Sequence, residues 1–384
     1  LKKIKAAIIG AGFIGKAHIE AIRRIGFVDI VAIAQSNQQQ AEAYSSQLSI
    51  PRAYGDYMEL LQDDEIDVIH NCTPNHLHFE INKQCLIHGK HLLSEKPLTM
   101  VTAEAKQLYE LASNKQLVAG VNYNYRQFPM IQQLKSMIQD HDLGDVKIIR
   151  GSYLQDWLLY QTDYNWRMDP RLGGSSRALS DIGSHLFDLV QYVSGLKIEE
   201  VMGDISIIHP ERLKSTAGAG HSFQNSSSEQ LVPVPITTED YCSVFVKFNN
   251  GIKGVLTVSQ VAAGKKNALE IHIDGTKASA TWHQEEPFIL LLGHRDKARE
   301  TYLRDPGQMK QPALDYVHYP GGHEEGWTDS LKNMMYNFYK AVQKGTELTH
   351  SVASIKDGYQ TQLIIDAILA SVQTKTWEKV KWID

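Results

Sequence analysis

Three short strings in this chain carry residue types that can do chemistry. The first, Gly10-Ala11-Gly12-Phe13-Ile14-Gly15, is a G-x-G-x-x-G. In such a string the first glycine permits a tight turn, the second lets a pyrophosphate approach the backbone, and the third allows close helix–strand packing. A helix starting there offers the phosphates free N–H groups and a favourable dipole. The second string, Glu95-Lys96-Pro97, supplies a cation. The third, Asp181-Ile182-Gly183-Ser184-His185, places a carboxylate and an imidazole four residues apart, on one face if both are helical. Each residue also has an ordinary alternative. An Asp near a helix start is usually an N-cap, a lone His is usually structural, and a Lys before Pro is usually solvated.

The surrounding pattern positions these strings. Apolar runs at 4–10, 29–34, 65–73, 91–96 and 117–122 alternate with helical patterns at 16–25, 41–47, 79–88 and 103–116. Strands apolar on both faces, alternating with helices, predict a parallel Rossmann sheet covered by helices. The glycine string then lies between the first strand and first helix, and Glu95-Lys96-Pro97 lies at the end of the fourth strand, where such sheets bind ligands. After a helix near 131–141 the pattern changes. Candidate strands at 146–157, 198–207, 239–248, 253–262, 268–274, 277–283 and 288–293 follow one another with turn signals, predicting an open, largely antiparallel sheet. A helix runs from Asp181 to Val193, 210–232 reads as a long Ser/Gly-rich loop, and helices near 328–343 and 352–373 close the chain. The fold class is therefore α/β with two domains: 1–122, which carries the dinucleotide motif, and 123–384, which carries the largely antiparallel sheet.

Composition narrows the partners. A chain of 384 residues, 42% hydrophobic and 22% charged, suits a two-domain globular protein. Net charge is −5 with no basic block, which argues against nucleic acid and anionic membrane. No apolar stretch approaches the roughly 20 residues of a membrane span. LKKIKAAIIGAG reads as a first strand rather than a secretion signal. Three cysteines without metal-like spacing suit a reducing cytoplasm, and His76-x-His78 without further ligands is too little for a metal.

Taken together, the strings resemble the glucose–fructose oxidoreductase/inositol dehydrogenase (Gfo/Idh/MocA) family. The match runs from the glycine turn through Thr73-Pro74-Asn75-His76-Leu77-His78 to the Glu-Lys-Pro and Asp-x-Gly-x-His strings, in order, over essentially the whole chain. The resemblance implies a sheet face opposed to a nicotinamide, a catalytic trio of Lys96, Asp181 and His185, and a homo-oligomer, dimer or tetramer. The chemistry fits the side chains. His185 can take the hydroxyl proton as hydride leaves a secondary alcohol. The Lys96 ammonium stabilises the developing alkoxide. Asp181 orients the imidazole, stabilises its cation or binds another hydroxyl. The cofactor set is Gly10, Gly12, Phe13, Ile14, Gly15, Ser36, Asn37, Thr73, Pro74, Asn75, His78, Glu95 and Lys96, with His78 also readable as a helix-start or packing residue. The acid expected after the second strand is absent: the chain there reads Ala34-Gln35-Ser36-Asn37-Gln38, with no cation nearby. This favours NAD, with NADP still open.

Aromatic and hydrogen-bonding residues are dense at Tyr123 to Arg126, Gln155 to Trp157 and Tyr164 to Arg167. Sugars present apolar C–H faces and directional hydroxyls, which such mixtures suit. The substrate set is Lys96, Tyr123, Arg126, Trp157, Trp166, Arg167, Asp181 and His185, and the glycine-rich run 319–327 is a candidate substrate loop. The Trp157 strand and the Trp166-Arg167 pair resemble family members acting on pyranosides, including anhydrosugars such as levoglucosan. Alternatives are an inositol dehydrogenase, a reductase, an enzyme that retains its nucleotide, or a non-catalytic dinucleotide-binding regulator.

Overall fold

The computed structural model describes residues 3–216 and 231–383. The chain divides into two compact units, Leu1–Gln127 with Trp327–Tyr359, and Phe128–Gly326 with Gln360–Asp384.

The first unit is built on six parallel strands: β1 (Ile4–Ile9), β2 (Val28–Ala34), β3 (Arg52–Tyr54), β4 (Val68–Asn71), β5 (His91–Ser94) and β6 (Ala119–Val121). Their order is β3-β2-β1-β4-β5-β6. The apolar runs are buried on both faces, as in β1, where only Lys5 is partly exposed. Helices α1 (Phe13–Ile25), α2 (Gln38–Leu48), α3 (Tyr57–Leu61), α4 (Asn75–Ile87) and α5 (Thr102–Ser113) make the crossovers. α1 ends at Gly26, whose φ of 81° suits a glycine C-cap.

In the second unit α6 (Pro129–Gln139) leads to β7 (Val146–Leu154), then come the short α7 (Pro170–Gly173), a π-helical turn (Leu179–Gly183) and α8 (Ser184–Ser194). The remaining strands are β8 (Ile198–Ser206), β9 (Glu211–Ser215), β10 (Leu231–Pro235), β11 (Tyr241–Phe248), β12 (Lys253–Ser259), β13 (Ala268–Gly275), β14 (Ser279–His283), β15 (Ile289–Gly293), β16 (Glu300–Leu303) and β17 (Glu378–Lys379). Nine form one sheet, ordered β16-β15-β14-β13-β7-β12-β11-β8-β17. Every pairing in it is antiparallel except β7 with β12. Alternation sets one face inward, as in β11, where Cys242, Val244, Val246 and Phe248 are buried.

The structure corrects several expectations. The long loop of 210–232 is bounded by paired strands, β9 with β10, and its residues 217–230 lie outside those described. α2 starts at Gln38, three residues early, because Asn37 caps it through Gln40 N–H. A two-range division at residue 122 misses the return of the chain to the first unit. α9 (Trp327–Lys344) carries the stripe Leu331, Met334, Met335 and Phe338, which packs with Ile19 and Ile22 of α1. α10 (Ile355–Thr374) follows. Among the described residues no helix is long and apolar enough to cross a membrane.

Candidate active site

The three glycines of the turn are required for different reasons. Gly10 adopts φ +87°, and a Cβ there would stand 2.9 Å from Cys72 O. A Cβ on Gly15 would lie 2.1 Å from Gly10 O, so the helix packs on the turn only without a side chain. Gly12 differs: a Cβ there meets nothing within 4 Å. α1 has no side-chain N-cap at Gly12, so its first-turn N–H groups are not held by a capping side chain. A cradle that a Cβ would fill, in front of uncapped helical N–H groups, fits a pyrophosphate. Phe13 is 63% exposed beside it and stacks on Trp327.

The ends of the neighbouring strands complete this region. After β2, Asn37 Oδ1 caps α2, and Ser36 Oγ donates to Gln40 Oε1 at 2.7 Å. Both side chains therefore already have local bonds. Gln35, by contrast, has a buried Nε2 with no hydrogen-bond partner among the described residues. It stands in the segment where an acid is expected, and a neutral amide there gives no sequence signal. After β4, Thr73 Oγ1 donates to Asn71 Oδ1 (2.7 Å), and Pro74 and Asn75 open α4. His78 is buried with its ring nitrogens 2.7 Å from Pro97 O and 2.8 Å from Thr73 O. It thus ties the β4 and β5 loops together. Burial draws its pKa below the ordinary histidine value. After β5, the Glu95 carboxylate turns inward to His18 (2.9 Å) and Asn122 (2.6 Å), while Lys96 is half-buried.

In the second unit the sequence-predicted residues gather near the ends of β7 and β12. Arg167 stacks over the Trp166 ring at 4.5 Å, and its Nε lies 3.6 Å from Asp181 Oδ1. The other Asp181 oxygen accepts from Gln260 Nε2 at 2.8 Å. Asp181 is therefore not the N-cap of its helix. That duty falls to Glu239, whose Oε1 accepts from Ser176 Oγ and from the N–H groups of Arg177 and Leu179. Burial raises the Glu239 pKa. Asp181 sits in the π turn and His185 in the first turn of α8. Single π turns inside helices are often found at functional sites. The His185 ring packs edge-on to Tyr153, with centroids 6.3 Å apart. Tyr153 OH and Gln155 Nε2 both donate to Asn267 Oδ1, and Trp157 Nε1 donates to Gln155.

Behind Asp181 lies a buried charge network. Gln260 Oε1 accepts from Arg177 (3.4 Å), Arg177 pairs with Asp240, and Arg212 pairs with the same Asp240 oxygen at 2.7 Å. Burial works against the Asp240 carboxylate, and the two guanidiniums outweigh it, so its pKa falls below the ordinary value. Gln260 gave no sequence signal, because its partner is 79 residues away.

Two predicted substrate residues lie elsewhere. Tyr123 is 1% exposed, in the first unit's apolar core. Arg126 is buried, with NH1 bonded to His350 O and NH2 3.2 Å from Asp357. Both pack against the returning segment. The run 319–325 is held by Arg304, which donates to Tyr319 O and Pro320 O and pairs with Glu325 at 2.8 Å. Among the described residues no group of three His, Cys, Asp or Glu side chains could hold a metal.

Comparison with known proteins adds to this geometry. Residues 4–123 match the profile of the Gfo/Idh/MocA oxidoreductase family, NAD-binding Rossmann fold, and 131–281 match the C-terminal domain of that family. The chain is 28% identical to levoglucosan dehydrogenase of Pseudarthrobacter phenanthrenivorans, over 100% of both chains. It is 24% identical to glucose-6-phosphate 3-dehydrogenase of Bacillus subtilis, over 94% of each. A levoglucosan dehydrogenase structure in complex with NADH and L-sorbose superposes with a TM-score of 0.90 at 27% identity, covering both chains fully.

Proposed function

The chain belongs to the Gfo/Idh/MocA family of NAD-binding oxidoreductases, and from that premise we propose that it is an NAD-dependent dehydrogenase oxidising a ring secondary alcohol of a pyranoside or anhydrosugar. Gly10, Gly12 and Gly15 would hold the dinucleotide's pyrophosphate, and the Gln35 amide would be available to its ribose. When bound, the dinucleotide supplies an acceptor for the hydride leaving the carbinol carbon.

The rest of the chemistry falls to side chains. His185 takes the hydroxyl proton, for which an imidazole is suited near neutral pH. Lys96 stabilises the alkoxide as it forms. Asp181, held by Gln260 and Arg167, orients the reacting hydroxyl or the imidazole. The observation that carries the sugar assignment is the cluster of Trp166, Arg167 and Asp181, in which one guanidinium lies over the ring and beside the carboxylate. The ring offers a face for sugar C–H groups and the charged pair offers directional bonds to hydroxyls. The related levoglucosan and glucose-6-phosphate 3-dehydrogenases support this substrate class.

The test is the appearance of reduced nicotinamide with anhydrosugars, glycosides, aldoses and inositols, supplying NAD and NADP separately. Turnover of a pyranoside with NAD, lost in Lys96→Met while NAD binding persists, is the expected result. An enzyme that reduces NAD only with inositols, or a Lys96→Met variant with full turnover, would overturn the assignment.

A further inference from the structure

The first unit buries a chain of titratable side chains that the chemistry above does not use. Tyr339 OH, on α9, lies 2.7 Å from His70 Nε2 on β4. His70 Nδ1 lies 3.0 Å from His18 Nδ1 on α1, and His18 Nε2 lies 2.9 Å from Glu95 Oε1, just after β5. His18, His70 and Tyr339 are fully buried, and Glu95 is 4% exposed. The same Glu95 oxygen accepts from Asn122 Nδ2, and the other accepts from the Lys96 N–H at 3.2 Å.

The protons of this chain are constrained. Two Nδ1 atoms at hydrogen-bond distance need one hydrogen between them, so one ring donates and the other accepts. An ionised carboxylate accepts only, so His18 Nε2 must donate to Glu95. Packing alone would be served as well by apolar side chains, since a buried polar group gains little over an apolar one of the same shape. What the chain adds is fixed geometry between α1, which begins at the glycine turn, and the loop carrying Lys96.

We propose that His18 is a positioning residue: by holding the Glu95 carboxylate, it fixes the Glu95-Lys96-Pro97 loop to the helix of the glycine turn. The inference rests on the role proposed for Lys96. The groups around Glu95 are His18 from α1, His70 and Cys72 from β4 and its following turn, His78 from α4, Asn122 after β6, Tyr339 from α9, and Lys96 itself. Burial works against the Glu95 carboxylate, and the bond from His18 is the foremost influence outweighing it; the group is held at about 2. Without the His18 bond, Glu95 gains a proton at a higher pH.

The first experiment uses ligand-free protein with ¹⁵N-labelled histidine. The ring signals of His18 and His70 should couple across their shared hydrogen, and Glu95→Gln should shift His18 Nε2. Absence of the coupling overturns the chain. The second uses the active enzyme. His18→Leu should lower kcat roughly ten-fold or more, the loss of a bond to a charged group, with the sugar KM little moved and a new acid limb in the kcat–pH profile. His18→Gln, which retains an N–H donor, should recover most of kcat and remove the limb. A His18→Leu enzyme with the parent profile, or one slowed without a new limb, refutes the positioning role. A dead Lys96→Met beside an unaltered His18→Leu sinks this inference alone. Full turnover in Lys96→Met sinks the function proposed for Lys96, and the histidine coupling still decides the chain.

Discussion

The glycine turn separates a ligand requirement from a folding requirement within six residues. Gly12 has φ −65° and ψ −160°, a conformation open to any L-residue, and a Cβ there meets nothing within 4 Å. Gly12→Ala should therefore leave stability within about 1 kcal/mol of the parent, the poor capping by alanine being offset by lower unfolded-chain entropy. Gly12→Val places its methyl groups in the space assigned to pyrophosphate. Loss of two charge-assisted bonds to the helix N–H groups costs about 3 kcal/mol, or roughly a hundred-fold in NAD affinity. Gly15→Ala behaves in the opposite way. Its Cβ would stand 2.1 Å from Gly10 O, so backbone must move, at about 1–3 kcal/mol or more. Gly10→Ala adds a left-handed backbone penalty of about 1–2 kcal/mol to a similar clash. Calorimetric titration with NAD and urea unfolding of the four variants separate the two effects. A Gly12→Val protein that binds NAD like the parent, or a Gly12→Ala protein as unstable as Gly15→Ala, would refute the reasoning.

Three further outcomes follow from the buried polar groups. Gln260→Leu removes the donor to Asp181 Oδ2 and should lower kcat about ten-fold with a smaller change in stability; unchanged turnover would show that Asp181 needs no such support. Asp240→Asn leaves Arg177 and Arg212 without their shared carboxylate and should cost about 3–5 kcal/mol in urea unfolding, the usual result of stranding a buried charge; a loss of a few tenths would contradict the burial. Glu95, held at about 2 in the fold against about 4.3 in the unfolded chain, contributes stability that is complete above the higher value and is lost as pH falls toward the lower. That contribution is about 3 kcal/mol, so the stability gap between the parent and Glu95→Gln should shrink as unfolding is measured from about pH 5 down to about pH 2.5. A gap constant across that window would show that Glu95 titrates alike in both states.

What the sequence made legible was local. The glycine turn and the strand–helix alternation each depend on residues within a few positions and stand where the pattern puts them, whereas the helix read from Asp181 begins at Ser184, behind a π turn. The same locality explains the failures. β3 and α3 are three and five residues long, too short for a period to show. Asn37 carries the same signal as a helix cap and as a ribose ligand, and the fold uses it to cap α2. Asp181 reads locally as a cap, but Glu239, 60 residues from Leu179, does the capping and leaves Asp181 to Gln260 and Arg167. Arg126 sits among aromatics in sequence, yet its partner is Asp357. For Asp181 and Arg126 tertiary packing chose the partner of a buried polar group, and no spacing encodes that choice.

The two units hold their proposed catalytic groups by the same physical means. Lys96 follows a carboxylate bonded to His18 and Asn122, and Asp181 accepts from an amide that is itself bonded to Arg177. Such networks are costly to build, because each buried charge gives up solvation that Coulomb attraction only partly returns. Apolar residues of similar volume would often serve folding as well or better. Flexible single contacts would not serve chemistry, which demands placement to within about half an ångström. Both networks end beside side chains given a chemical role, Glu95 next to Lys96 and Gln260 on Asp181, so the stability they forgo is spent where position matters most.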